Sequence, residues 1–486
     1  MAQTIIAQPQ SFTPAYNPVK FIVDSTNKNL DGFKYIFDVY NGATLIGRFN
    51  VLPTYGTGYG ELDLSKFLSS YVSWDFQPLV TTDYDAVNSY YNFQVKTGEE
   101  YLAQFNYTSA LTNSGGFVRV NVTNTFAIGD QINITQDDGG AANPLLEGLH
   151  SVTNASGSWF EVGVAWSSVT DANINGSVVY ADNRKIVTYD VTTFDVKRVF
   201  NGARRFIEFP TYDENTYNPN GVTKLWVTNQ PQTEFYATLG QDLWLNIRGR
   251  IGKKIVFEND NGDLFYKFLT NNSTIEGVAV GPNNYGVLVG TGNLITPTTK
   301  YYDFWYDDGG QKSVKYRVNL DRRVQINEYH LCFLDRMGSW SSFAFQLKSY
   351  ERGEVQRDDY NKDVQGYVSG GEWNYNYEEF GFSTFNINVV KTLELNSNWM
   401  TQEMATYFEE LVTSPQVFFK LVTYLTTEDG IPVIDENGCP VRVPESTNYL
   451  PVILTTNSYE VFKQRNKNLI KQSLVVKLAN NDAING

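Results

Sequence analysis

Lys254-Ile255-Val256-Phe257-Glu258-Asn259-Asp260-Asn261-Gly262-Asp263-Leu264-Phe265-Tyr266-Lys267-Phe268-Leu269 decides the fold class. Two runs of β-forming residues, 254–258 and 264–269, flank an Asn-Asp-Asn-Gly turn. Asn and Gly tolerate the positive φ values that a tight turn needs, so the stretch reads as a β-hairpin. The same grammar recurs at 301–306 and 313–320 around Asp307-Asp308-Gly309-Gly310. It recurs again at 329–334 and 342–348 around Asp335-Arg336-Met337-Gly338-Ser339-Trp340. Near the start, 33–40 and 44–51 flank Asn41-Gly42. The chain is therefore expected to be mainly β, with several β-sandwich or barrel domains.

A length of 486 residues sets a prior of about three domains. Residues 1–105, with 185–204, read as an immunoglobulin- or fibronectin-like sandwich, because short strands alternate with glycine breaks at Gly56, Gly58 and Gly60. Residues 106–184 change texture. They are rich in Gly, Asn, Ser and Thr and poor in Lys and Arg, with strand signals at 117–122, 131–136 and 152–166. That block reads as a small β-barrel inserted between the last strands of the sandwich, a kind of insertion that loops tolerate. A second β domain is expected over 205–330 and a C-terminal one over 331–486. In the latter, Met400, Met404, Tyr407, Phe408 and Leu411 share one face of a helix expected at about 397–412, capped by Ser397 or Asn398 and stopped before Pro415.

The chain carries 38 Lys plus Arg against 53 Asp plus Glu, a net charge of −15, so no direct nucleic-acid partner is expected. The N-terminus lacks the charged and apolar regions of a signal peptide, and no run has the length of a membrane span. Two cysteines, Cys332 and Cys439, give neither a disulfide framework nor a zinc motif; the sequence allows a single bridge between them, and two unpaired structural thiols are the expectation. Aromatic residues make up 15% of the chain, including 32 Tyr and 31 Phe, which suits both cross-strand packing and interfaces.

Catalytic constellations are thin. Histidine occurs twice, and His330 stands two residues from Cys332 on an apparent strand, where both side chains share a face with no orienting acid implied. Asp260-Asn261-Gly262-Asp263 and Asp435-Glu436-Asn437-Gly438 resemble the opening of a calcium loop without its closing Glu, and turn chemistry explains both. The adjacent acids Asp307-Asp308, Asp358-Asp359 and Glu378-Glu379 read as solvated turns or edges. Glu372 and Glu378-Glu379 border the aromatic run Trp373-Asn374-Tyr375-Asn376-Tyr377, which reads as a loop or β-ribbon meeting a neighbouring subunit. No enzyme activity, cofactor or metal is expected, and Trp373, Tyr375 and Tyr377 are the expected interface residues.

Two blocks carry a family resemblance. The first is Asn17-Pro18-Val19, Asp24-Ser25-Thr26-Asn27, Phe33-Lys34-Tyr35, Gly58-Tyr59-Gly60-Glu61-Leu62-Asp63-Leu64-Ser65 and Tyr71-Val72-Ser73. The second is Leu334-Asp335-Arg336-Met337-Gly338-Ser339-Trp340-Ser341-Ser342-Phe343-Ala344-Phe345, then Leu411-Val412-Thr413-Ser414-Pro415 and Leu450-Pro451-Val452-Ile453-Leu454. Their order resembles virion structural proteins of tailed bacteriophages, especially those infecting Bacteroidetes, from the tail or tail-tip region. A small barrel hung on a tail core also resembles distal tail proteins. The resemblance implies a homo-oligomeric ring at the tail tip or hub, partnered by other tail or receptor-binding proteins. It further implies residence in the virion tail after assembly in the host cytoplasm. A carbohydrate-binding adhesin that contacts a surface glycan is the alternative expectation.

Overall fold

The computed structural model of the chain describes residues 3–102, 104–108, 111–136, 143–181, 185–188, 194–218, 224–229, 233–248, 254–271, 274–307, 309–310, 312–322, 328–363, 366–376, 381–421, 433, 448–456, 470–479 and 482–485. Strand accounts for 53% and helix for 7%, so the protein is mainly β, as the recurring hairpin grammar predicts. Among the described residues no helix is long and apolar enough to cross a membrane. The chain divides into two compact units, residues 1–69 with 91–199 and residues 70–90 with 200–486.

In the first unit, a three-stranded sheet joins Gln3–Ala7, Lys20–Ser25 and Gly60–Asp63. A six-stranded sheet is centred on Tyr90–Leu102 and Lys34–Asn41, with Thr44–Val51 at its edge. The Asn41-Gly42 turn links these last two strands as the sequence predicts, in register from Tyr35 opposite Val51 to Asn41 opposite Thr44. Phe21, Val23, Tyr35, Phe37, Phe93 and Val95 are buried. Asp38 is buried as well and is held across the ladder by Arg48, whose Nε and Nη2 donate at 2.7 and 2.8 Å.

Residues 104–180 of the same unit form one antiparallel seven-stranded sheet, running from Leu111–Ser114 at one edge to Gln104–Tyr107 at the other. It wraps a core of its own that includes Val118, Ile132, Ile134, Phe160 and Val178.

The second unit holds a five-stranded, a three-stranded and an eight-stranded sheet. The hairpin over residues 254–268 forms as the sequence predicts. Lys254–Asn259 pairs with Leu264–Phe268, Gly262 takes a φ of +86°, and the Asn259 side chain accepts from the backbone of Asn261 and Asp263. These are the side-chain-to-backbone bonds of an Asx turn. One strand departs from the antiparallel grammar: Glu234–Thr238 lies parallel to Tyr316–Asp321.

Residues 70–90, expected within the first sandwich, belong to the second unit. Asp83–Asp85 completes a sheet against Ile275–Ala279. The Asp83 carboxylate accepts from Thr270 N, Thr270 Oγ1 and Asn271 N at 2.8–3.0 Å. Phe76 packs on Trp340 and Phe418 at ring separations of 4.1 and 4.8 Å, with Trp244 and Tyr449 edge-on, while Trp340 Nε1 donates to Asp75 O. Long-range aromatic docking, to which local patterning is blind, decides this placement.

The helix is Gln402–Thr413, shorter at its start than the expected 397–412, and its cap is Thr401, whose side chain accepts from Met404 N. The cause is competition for the backbone. Met400 exchanges both hydrogen bonds with Ile470 at 2.8 Å, and Asn398 spends its side chain on Gln346 and on the N–H of Trp399. Tyr407, Phe408 and Leu411 bury the expected face.

A buried ion pair ties the sheets of this unit together. Asp242 and Lys420 meet with side chains 1% and 0% exposed. Tyr449 Oη donates to Asp242 at 2.8 Å, Asn283 donates to it too, and Lys420 Nζ also donates to Gly240 O. Burial alone raises the Asp242 pKa, but Lys420 and these donors outweigh it and hold the carboxyl below its usual range.

Lys267 is a second buried amine. Its Nζ donates to Thr81 O at 3.0 Å and to Ala279 O, tethering the 70–90 segment. Burial pushes its pKa down to about 7, with Asp83 opposing.

Between pH 7 and about 10.5 the folded state holds Lys267 neutral while the unfolded chain binds the proton, so stability rises with pH in that window. The stability of the wild type relative to Lys267→Met should therefore climb by up to ~1.4 kcal/mol per pH unit, read from chemical denaturation midpoints. Parallel profiles for the two proteins would contradict this. Phe76→Ala should lower stability by about 2–3 kcal/mol in tryptophan-detected unfolding. A change under about 0.5 kcal/mol would mean that the segment merely lies on the surface.

Candidate assembly surface

Strand Leu347–Lys362 pairs with Gly381–Asn396 over 16 residues a side, making a ribbon about 50 Å long. The second strand is shared: its other edge takes Ser473–Leu478 at 392–396 and Asp482–Asn485 at 386–389. Leu347–Lys362 ends the eight-stranded sheet, and among the described residues no strand pairs with its outer edge. Nearly all of its side chains are exposed.

Cross-strand pairs hold the ribbon. Arg352 meets Glu394 at 2.8 Å, Asn386 donates to Asp358 at 2.9 Å, Thr384 donates to Asp359, and Tyr360 meets Phe385 edge-on at 6.0 Å. The Asp358-Asp359 pair is thus occupied by ladder neighbours. Such pairs contribute roughly 0.2–1 kcal/mol each. Among the described residues only the outer end, 359–362 against 381–384, has no third strand, and a two-stranded segment without a core beneath it is at best marginal on its own. Yet the ribbon exposes Val355, Tyr360, Phe382 and Phe385, the Phe382 ring by 80%. The alternating charges of Lys348, Glu351, Arg352, Glu354 and Arg357 guard the free edge against indiscriminate pairing.

Beyond the long strands, Tyr367–Ser369 pairs with Glu372–Asn374 around Gly370 and Gly371, whose φ values of +64° and +88° make the turn. The Trp373 ring lies across Gly366, where a Cβ would fall 2.1 Å from Nε1, so only glycine fits there. Of the expected interface residues, Trp373 and Tyr375 come together with ring centroids 5.4 Å apart and are 56% and 42% exposed. Tyr377, with Glu378 and Glu379, lies outside the described residues. The sequence reading missed Tyr360, Phe382 and Phe385, whose signal was an apolar residue on each side of an otherwise polar strand.

The other candidates are dispersed. His330 is buried beside Glu328, with Nε2 and Oε2 3.2 Å apart. Cys332 is free and buried, and burial, with Asp242 nearby, pushes its thiol far up, which withholds the thiolate that a nucleophile needs. Cys439 and the 435–438 turn lie outside the described residues, and Asp307 ends a strand while Asp308 is likewise outside them.

What this surface offers is therefore backbone pairing along an open edge and exposed aromatic rings at its far end, the ingredients of strand addition and of interface anchors. Comparison of the chain with protein-family models and with curated protein sequences finds no match.

Proposed function

We propose that this chain is a structural subunit of a tailed-phage virion, forming a homo-oligomeric ring at the tail tip or hub that connects the tail to receptor-binding parts. The observation that carries the reading is the ribbon: an open 16-residue edge strand and a set of exposed aromatic side chains that its own unit leaves uncovered. The resemblance of residues 17–73 and 334–454 to tail proteins supplies the virion setting.

A ring arises when one patch on a subunit meets a different patch on the next and the rotation closes. The ribbon supplies one such patch. Its edge adds to a neighbour's sheet through main-chain hydrogen bonds, and Trp373, Tyr375, Phe382 and Phe385 bury against that neighbour's surface. The charged edge sets register, because like charges placed opposite each other are penalised.

The purified chain should give a light-scattering mass that is a whole multiple of 55.1 kDa and does not fall on dilution. Replacing residues 357–387 with Asn-Gly keeps Gln356 opposite Asn388 and removes the outer ribbon. That variant should stay folded by circular dichroism and run as a monomer. A full-length chain and a trimmed variant with the same oligomeric state would contradict the role given to the ribbon.

A further inference from the structure

A cleft of about 410 Å³ opens in the second unit where strand Glu234–Thr238, the end of strand Tyr316–Asp321, strand Trp340–Phe345 and the turn before the helix converge. That is within the range of small-molecule sites, roughly 300–1,000 Å³. Its walls carry Tyr236, Asn319, Asp321, Gln346, Asn398 and Trp399. Its floor is apolar, with Phe343, Met400 and Met404.

Three of the wall groups form a fixed polar chain. Gln346 is 94% buried by its exposure of 6%, donates to Asp321 Oδ2 at 2.9 Å and accepts from Asn398 Nδ2 at 3.0 Å. Asn398 Oδ1 in turn accepts from the N–H of Trp399 at 2.8 Å. The chain orients both amides and pins the backbone of Trp399 while its ring stays 60% exposed. Tyr236, 49% exposed, stands opposite Asn319 in the parallel strand pair, so the ring and the amide share a face. Among the described residues lining the cleft, Asp321 is the one carboxylate and no Lys, Arg or His occurs.

We propose that this cleft binds a neutral saccharide of one or two rings. A pyranose has an apolar C–H face, which stacks on Trp or Tyr, and hydroxyls that both donate and accept. Oriented amides and a carboxylate match those hydroxyls, with Asn319 and Asp321 as the receiving groups. Asp321 on the cleft wall makes the site better suited to uncharged sugars than to sulfated, phosphorylated or uronic ones. An apolar peptide side chain would suit the methionine floor but leaves the fixed polar wall unused, so the saccharide is the better occupant. The cleft lies at the foot of the ribbon, where Gln346 and Asn398 flank the Leu347–Asn396 pair, but its proposed ligand does not rest on the assembly role.

The test uses the full-length chain and di- to tetrasaccharides of glucose, galactose, mannose and N-acetylglucosamine, with sulfated counterparts, read by calorimetry and tryptophan fluorescence. At least one neutral saccharide should bind saturably. Trp399→Ala should weaken it at least tenfold and Asn319→Ala several-fold, while Trp399→Phe restores most of the affinity. Tyr55→Ala, an exposed aromatic of the first unit, should leave it unchanged. Circular dichroism of each variant checks folding. No binding by any neutral saccharide at millimolar concentration, binding insensitive to Trp399→Ala, or a preference for the sulfated forms would overturn the proposal. None of these outcomes bears on the oligomeric mass.

Discussion

The pairing of Asp242 with Lys420 is the interaction on which the second unit turns. Lys420 sits on a strand of the eight-stranded sheet, and Asp242 follows a strand of the five-stranded one. Around the pair gather Tyr449, Asn283 and the carbonyl of Gly240, while Ser342 donates to the carbonyl of Asp242. Removing one partner of such a pair strands the other charge in the interior at a cost of about 3–5 kcal/mol. The arrangement thus discriminates strongly between the native sheet placement and alternatives. Gln241, next in the chain, donates to Ser342 O beside the cleft, so the same joint positions the strands that wall it.

Rigidity there and exposure at the ribbon are two sides of one design. The eight-stranded sheet is anchored by buried pairs at its Trp340–Phe345 and Val417–Leu421 strands. It then runs outward until Leu347–Lys362 ends it without cover. A marginal two-stranded end persists only if the sheet that feeds it is firm or a neighbour completes it. Charged residues along the edge are the usual defence against unwanted pairing, and exposed rings beyond them concentrate the apolar surface where a specific partner can cover it.

The sequence makes some of this legible, for reasons that can be named. The hairpin at 254–268 could be read because Asn259 to Gly262 specify their own turn. The helix face could be read because Tyr407, Phe408 and Leu411 answer to a local period, whereas its first residue depended on Met400 bonding to Ile470 far along the chain. Strand Leu347–Lys362 carries no hydrophobic alternation, because neither face is buried, so the period that betrays most strands is missing. Trp373 and Tyr375 stand out by composition, and their short ribbon is legible from the glycine turn, but the long strand that carries it outward is not. Proximity in sequence places residues 70–90 with the first sandwich, while Phe76, Asp83 and Lys267 decide their place through contacts between residues far apart. The cleft draws Tyr236, Asn319, Gln346 and Trp399 from four separate stretches, and no local pattern announces such a convergence.

The proposed virion role is tested by electron cryo-microscopy of purified tailed-phage particles, which locates the protein and counts its copies at once. The result expected under that role is a closed ring of identical subunits at the tail tip or hub, with residues 347–396 of each lying on the next. Particles that lack the chain, or that carry it as isolated copies with the ribbon in solvent, would contradict it.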